Sequence, residues 1–296
     1  MPETVGFIGL GLIGLPAATN LIRAGFPVVG FGLDNLDKFA AAGGRPLESS
    51  RAVAQAATNI FQCLPDAAAL DDAVYGPRGT LKGLRPGSVT IELGSYALDD
   101  KTRLRDALRE AQAHLLDCEL TARGGSAGMA ERDCVILVSG ERALADRMRP
   151  LLDAISRRVV YVGEFGTSLR LKLVNNLLVG VHVLAAAEAV ALGVKAGFDP
   201  AVVVDVLSQG AGSSVMLERY GPDMAARVYD RELKGMIKTF YKYFDLIEDL
   251  AESCSAATPL LDTTADYFHR AIDAGLVTRD LAAVYEIIAA EPRKPA

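Results

Sequence analysis

Signatures of metal binding and of thiol–disulfide chemistry are missing from this sequence of 296 residues. Its three histidines, His114, His182 and His269, have no partner at metal-ligand spacing, and there is no H-E-x-x-H or Cys/His cluster. The four cysteines, Cys63, Cys118, Cys134 and Cys254, include no C-x-x-C pair and are too sparse for a disulfide scaffold. They read as buried thiols of a reducing compartment. A basic excess is also lacking: 31 Lys and Arg against 37 Asp and Glu leave a formal net charge of −6. Nucleic acid is therefore not the expected partner, because binding phosphates requires a cationic surface. The apolar start at Val5 is broken by glycines and has no basic leader, so it does not read as a signal peptide. The stretch from Leu173 to Val194 carries Asn175, Asn176, His182 and Glu188, which argues against a membrane span. A soluble, cytoplasmic protein is expected, with no membrane partner. Glu92 and Glu119 lie near strand ends at no spacing that predicts a carboxylate pair, and Ser-His-Asp chemistry is disfavoured.

What is present is ordinary globular material, 50% hydrophobic and 23% charged. The length suits two domains rather than one. In the first half, short β-type runs (Thr4–Gly9, Pro27–Phe31, Asn59–Leu64, Ser88–Leu93, His114–Leu120, Cys134–Val138, Val159–Val162) alternate with helical spacing over Pro16–Ala24, Ala67–Tyr75, Asp99–Ala113 and Arg142–Ile155. Such alternation predicts a mostly parallel sheet with helices on both faces. After Gly166 only helical periodicity remains. Thr167–Ala196 reads as a single helix of about 45 Å, ending at Gly197, a residue type favoured just past a helix C-terminus. Further helices are expected over Pro200–Ser208, Ser214–Arg227, Glu232–Ala256 and Thr258–Ala274, with a last one after Thr278 and a frayed tail from Glu291. The chain thus divides into a doubly wound α/β domain over 1–165 and an all-α domain over 166–296. The stretch Leu177–Leu184 is apolar enough to require burial on every side, within its own domain, against another subunit, or both. A homodimer or homotetramer is expected.

Gly9-Leu-Gly11-Leu12-Ile13-Gly14 follows the first strand and opens a helix as G-x-G-x-x-G. Gly9 permits the tight turn, Gly11 lets backbone approach a pyrophosphate, and Gly14 lets helix and strand pack closely. The helix N-terminus adds free amides and a positive dipole end. This is the fingerprint of a Rossmann dinucleotide site. The second strand ends Gly30-Phe-Gly32-Leu33-Asp34, so Gly32 occupies the usual acidic position and Asp34 follows two residues later. Asp34 either holds the adenosine ribose or is a solvated turn residue. It would repel a 2′-phosphate, and no Arg stands nearby to attract one. NAD is favoured, with NADP not excluded.

Lys172 lies near the start of the long helix, and Asn175 and Asn176 share its face at i+3 and i+4. An ammonium and an amide projecting together suit proton exchange with a substrate hydroxyl. By spacing alone, an exposed helical lysine is the competing reading.

The segments GFIGLGLIGLPAATNLIRAGFPVVGF, QCLPD (Gln62–Asp66), GTSLRLKLVNN (Gly166–Asn176), AEAVALGVKAGFDP and GAGSS, in this order along nearly the whole chain, resemble the β-hydroxyacid dehydrogenases. This is the family of 3-hydroxyisobutyrate dehydrogenase and, more distantly, 6-phosphogluconate dehydrogenase. The resemblance implies that Lys172 is the catalytic acid/base and that Asn175 or Asn176 orients a small carboxylate substrate. It implies that Cys63, Leu64 and Pro65 line the cofactor, and that Ser95 stands at the hydroxyl position beside the nicotinamide. Two segments depart from the family pattern. Where the family reads D-A-P-V-S-G-G, this chain has Asp117-Cys-Glu-Leu-Thr121-Ala122-Arg123-Gly124-Gly125. Thr121 keeps the hydroxyl, Ala122 and Arg123 replace glycines, and Arg123 is either a carboxylate fork or a solvent-facing loop residue. Where the family shows Lys-Asp, counting back from Pro259 gives Lys242-Tyr243, although Lys238 is an alternative; Lys242 would meet the cofactor and Tyr243 the substrate. Loss of that acid leaves open a reductase of imines or bulkier ketones. A dinucleotide-binding protein without turnover is a further alternative, opposed by the intact glycines and Lys172.

Overall fold

The computed structural model describes residues 2–230 and 234–292. Among them, eight strands form one sheet in the order β3-β2-β1-β4-β5-β6-β7-β8. These are β1 (Val5–Ile8), β2 (Val28–Phe31), β3 (Arg45–Pro46), β4 (Asn59–Gln62), β5 (Val89–Glu92), β6 (His114–Ala122), β7 (Cys134–Ser139) and β8 (Arg158–Gly163). All neighbours pair in parallel except β6 and β7. The seven expected strands all occur. The short edge pair Arg45–Pro46 was not expected, since two exposed residues carry no alternation.

Strands β1, β4 and β5 are buried on both faces, as interior strands of a parallel sheet covered by helices are. Helices α1 (Gly14–Arg23) and α7 (Arg142–Ile155) contribute Ala17, Leu21, Leu144 and Leu152 to one core layer with Phe7 and Phe61. The Phe7 and Phe61 rings stack at 5.7 Å. Val53 of α3 (Ser50–Ala56), Leu70 of α4 (Ala67–Tyr75) and Leu104 of α5 (Leu98–Glu110) build the other layer. The short helices α2 (Leu36–Ala41), α3 and α6 (Ser126–Ala130) are too brief to show helical spacing in the sequence.

Two compact units divide the chain, Met1–Lys172 and Leu173–Ala296. The break falls inside the long helix α8 (Thr167–Lys195) because the first turn of α8 is hydrogen-bonded to the sheet. The second unit continues with α9 (Pro200–Gln209), α10 (Val215–Ala226), α11 (Ile237–Ser253), α12 (Pro259–Asp273), a 3₁₀ turn at Leu281–Ala283 and α13 (Val284–Ala290). Glu232, where the fourth expected helix of this half begins, lies outside the described residues, as do 293–296 of the expected tail. Asp199 caps α9 and Ser214 caps α10 by accepting backbone N–H groups. Gly180 of α8 admits the Phe240 and Phe244 rings; an added Cβ would stand 3.1 Å from Phe244. Phe244 in turn lies 5.3 Å from Phe268 of α12.

By length and composition alone α8 could cross a bilayer. Within the chain, however, Val183, Leu184, Ala187, Val190 and Ala191 form a buried stripe, the pattern of a core helix. Its own chain does not bury the Leu177–Leu184 stretch all round, for Leu178 is 54% exposed and His182 faces outward.

A cluster of charge sits fully buried between the carboxyl end of β5 and the middle of β6. Strand register sets Glu92 opposite Asp117, and the pleat puts Asp117 and Glu119 on one face. Lys101 of α5 reaches both, 2.6 Å from Asp117 and 2.5 Å from Glu119, with no solvent exposure on any of the three. Burial would depress the Lys101 ammonium, but Asp117, Glu119 and Glu92 outweigh it and hold its pKa above the ordinary value. Glu92 accepts the Gly94 N–H at 2.7 Å and a Gln62 side-chain N–H at 3.1 Å. Burial nevertheless pushes its carboxyl from 4.5 up to about 7, against the pull of Lys101 and those donors.

That shift has a definite sign. The folded chain keeps a proton on Glu92 that the unfolded chain releases between about pH 4.5 and 7. The resulting stabilisation is complete below the unfolded value and is lost as pH rises through 7. Glu92→Gln keeps the size of the side chain and cannot titrate. Melting curves from pH 5 to 8 should therefore show wild type losing stability relative to Glu92→Gln, by up to about 3 kcal/mol. Parallel profiles for the two proteins would contradict this.

Candidate active site

The carboxyl ends of β1, β2 and β4 meet where the strand order reverses, the place where open α/β sheets take ligands. Gly9 leaves β1 at φ +93°, and a Cβ there would lie 2.2 Å from the Cys63 carbonyl oxygen. A Cβ on Gly14 would stand 1.8 Å from the Gly9 oxygen. Both positions therefore exclude any side chain. Gly11 differs: an added Cβ would meet nothing within 4 Å. The space it faces is open, as a backbone cradle for a pyrophosphate requires. Helix α1 begins at Ile13 with no side-chain cap and no acidic residue in its first turn, whereas Ser49, Asp66, Asp199 and Ser214 cap α3, α4, α9 and α10. The amides around Leu12, Ile13 and Gly14 thus suit an external anion. On these observations the turn fits a dinucleotide.

Gly32 packs against Leu10, whose Cβ would lie 3.0 Å from an added one, so an acidic side chain there would require Leu10 to shift. Leu33 is 92% exposed and Asp34 is exposed beside it. Asn35 was not singled out by sequence reasoning. It adopts a left-handed conformation at φ 62° and its side-chain N–H donates to the Leu10 carbonyl at 2.9 Å, tying the β2 loop to the glycine turn. Asn tolerates that backbone region better than most residues, and this was the only signal available.

Cys63 donates its N–H to the Ile8 carbonyl at 2.9 Å, which brings Cys63, Leu64 and Pro65 beside the glycine turn. Cys63 and Leu64 are half-buried and Pro65 is exposed. The Tyr96 hydroxyl donates to the Leu64 carbonyl at 3.2 Å and so links this loop to the one after β5. Ser95, in that loop, is buried and donates to Glu119 Oε2 at 2.5 Å. Register and α5 bring Glu92, Lys101, Asp117 and Glu119 together although no sequence spacing links the carboxylates.

Thr121 and Ala122 end β6, paired with Val135 and Cys134, and are half-buried. Arg123 and Gly124 are exposed, and Gly125 turns at φ 58° into α6. Gly124 is needed because a Cβ there would stand 2.9 Å from the Gly128 nitrogen. Ser168, in the first turn of α8, lies 2.6 Å from Asp117 Oδ2, and Ser139 lies 3.0 Å from the same oxygen and 2.9 Å from Ser168. Lys172 follows Ser168 by one helical turn and is half-buried. Asn175 donates to the Asn176 side-chain oxygen at 3.1 Å, and Asn176 is buried.

In the second unit, Lys242 and Tyr243 lie on α11, half-buried, with the Lys242 ammonium 5.3 Å above the Tyr243 ring. The Tyr241 hydroxyl lies 2.6 Å from His269 Nδ1. Among the described residues, no group of three or more His, Cys, Asp or Glu side chains could hold a metal ion.

Comparison with known proteins agrees with this geometry. Residues 4–163 match the model of the NAD binding domain of 6-phosphogluconate dehydrogenase. Residues 166–288 match that of the NAD-binding domain of NADP-dependent 3-hydroxyisobutyrate dehydrogenase. The chain is 28% identical over 292 residues to an NAD-dependent L-serine dehydrogenase of Pseudomonas aeruginosa, covering 96% of this chain and 97% of the relative. It is 30% identical over 290 residues to an L-threonate dehydrogenase of Cupriavidus necator, covering 97% and 96%. A crystal structure of 3-hydroxyisobutyrate dehydrogenase from Salmonella typhimurium superposes with a TM-score of 0.89 at 28% identity, covering 96% of this chain and 99% of that one. The chain belongs to the β-hydroxyacid dehydrogenases, NAD(P)-dependent oxidoreductases that act on CH–OH groups of small carboxylate substrates.

Proposed function

We propose that the protein oxidises the hydroxyl of a small hydroxycarboxylate, or reduces the matching carbonyl, with Lys172 as general acid/base. Bound nicotinamide dinucleotide supplies the hydride donor or acceptor. Gly9, Gly11 and the first amides of α1 would hold its pyrophosphate, with Cys63, Leu64 and Pro65 alongside and Ser95 near the nicotinamide. Thr121 and the amide of Gly124 would hold the substrate carboxylate, with Arg123 as a further cation for it; the Gly125 N–H is instead donated to the Ala122 carbonyl at 3.2 Å. Asn175 or Asn176, three and four positions after Lys172, would orient the hydroxyl. In the second unit, Lys242 and Tyr243 are the residues proposed toward cofactor and substrate. During oxidation the neutral Lys172 amine takes the hydroxyl proton, and during reduction the ammonium returns it. L-Serine and L-threonate, for which two relatives are named, both carry a hydroxyl close to a carboxylate, the pattern this site would recognise.

The observation that carries the reading is the position of Lys172. It stands one turn beyond Ser168, and Ser168 is bonded to Asp117 of β6, two positions before Glu119, which holds Ser95. Lys172→Ala should lower turnover at saturating substrate by roughly 10²–10⁴-fold, the usual contribution of a positioned acid/base. Dinucleotide affinity should barely change. Lys172→Arg should fail as well, since a guanidinium stays protonated at working pH. Steady-state assays on a panel of hydroxycarboxylates decide the matter; near-normal turnover in either variant refutes the role.

For the cofactor, Asp34 opposes a 2′-phosphate at the exposed β2 end. Isothermal titration should give tighter binding of NAD(H) than of NADP(H), and the reverse order would remove Asp34 from this role.

A further inference from the structure

The buried lysine of α5 is not used in the reaction as described, yet its two bonds lead to the two ends of the chemistry. Lys101 shares the inward face of α5 with Leu104 and Leu108, three and seven positions on, where an apolar side chain would pack without desolvating a charge. Instead the ammonium divides between two carboxylates.

One arm runs through Glu119. Its Oε1 accepts from Lys101 at 2.5 Å and its Oε2 from the Ser95 hydroxyl at 2.5 Å. A carboxylate only accepts, so the Ser95 hydrogen is committed to Glu119, and Ser95 presents lone pairs toward a ligand. The other arm runs through Asp117. Its Oδ1 accepts from Lys101 at 2.6 Å, and its Oδ2 lies 2.6 Å from Ser168 at the start of α8. Lys172 is the next residue along that helix face, four positions on.

We propose that Lys101 is a positioning residue for hydride and proton transfer: through Glu119 it sets the hydrogen-bond polarity of Ser95, and through Asp117 and Ser168 it registers the helical turn that carries Lys172. This rests on the assignment of Lys172 and Ser95 to the site. Without the ammonium, Asp117 and Glu119 would face each other as like charges on one side of β6. One of them would then take up a proton, and the order of both arms would be lost.

Lys101→Met tests this directly but leaves two buried carboxylates unpaired and can fail to fold, so two isosteric or minimal variants carry the experiment. In Glu119→Gln the amide oxygen must face the Lys101 donor, which turns the amide N–H toward Ser95 and reverses the polarity of its hydroxyl. Shape is unchanged. Ser168→Ala cuts only the helix arm, and Ser168→Thr restores a hydroxyl to it. On whichever panel hydroxycarboxylate turns over fastest, Glu119→Gln and Ser168→Ala should each lower kcat roughly ten- to a hundredfold, the scale of small misplacements at a reacting centre. The dissociation constant of NADH should stay within about twofold. Glu119→Gln should add no further loss to Ser95→Ala, as expected when one residue acts through the other. Ser168→Thr should recover most of the rate. In the ligand-free protein, hydrogen exchange across residues 167–175 should quicken in Ser168→Ala and not in Glu119→Gln. Normal kcat in both variants, or losses that multiply with Ser95→Ala, would overturn the proposal. Lys172→Ala run in parallel separates the two levels. An inactive Lys172→Ala beside normal Glu119→Gln and Ser168→Ala sinks the Lys101 proposal alone, whereas an active Lys172→Ala sinks the site assignment and this proposal with it.

Discussion

The close approach of backbone to backbone at the end of β1 is the constraint on which the rest of the site depends. Gly9 touches the Cys63 carbonyl and Gly14 touches Gly9, so tightly that a single methyl group would not fit at either position. That contact draws the β4 loop against the start of α1 and leaves the amides of its first turn uncovered by any side chain. Gly11, between the two crowded glycines, is the one that faces open space. A glycine retained where the protein itself imposes no crowding is best understood as room kept for a ligand.

A second constraint is electrostatic and lies three strands away. Glu92, Asp117, Glu119 and Lys101 are all out of contact with water. Three carboxylates against one ammonium cannot all stay ionised cheaply, and burial moves Glu92 toward neutrality at about pH 7. Backbone and side-chain donors from Gly94 and Gln62 complete its shell. What remains is a compact charged knot between β5 and β6, from which Ser95 and Ser168 are both held. Rigid support of that kind is what a reaction centre needs, since reacting groups lose rate quickly when they drift.

Much of this was legible before any coordinates. The short β-type runs of the first half and the unbroken helical texture after Gly166 are local signals, and both appear as expected. The glycine turn was equally legible, because its spacing encodes its own sterics. Arg45–Pro46 and the helices α2, α3 and α6 escaped notice because none spans more than about two periods, too few for a repeat to stand out. Asn35 was hidden for a different reason: its bond to Leu10 spans two strands and leaves no pattern in the chain. The charged cluster was the least legible feature. Glu92 and Glu119 are separated by 27 positions and gave no pairing signal, and only the β5–β6 register and the inward turn of Lys101 bring them together. Interactions that depend on register rather than on spacing are those a single sequence conceals.

The central claim is that the turn at Gly9–Gly14 is a dinucleotide cradle whose open side lies at Gly11. Gly11→Val tests it most directly. The residue is not in the left-handed region and its new Cβ would meet no protein atom within 4 Å, so the ligand-free fold should tolerate it. Titration with NADH, followed by calorimetry beside a thermal melt, should show an unchanged melting temperature and an affinity lower by about a hundredfold or more, roughly 3 kcal/mol. Wild-type affinity for NADH in the folded variant would contradict the account.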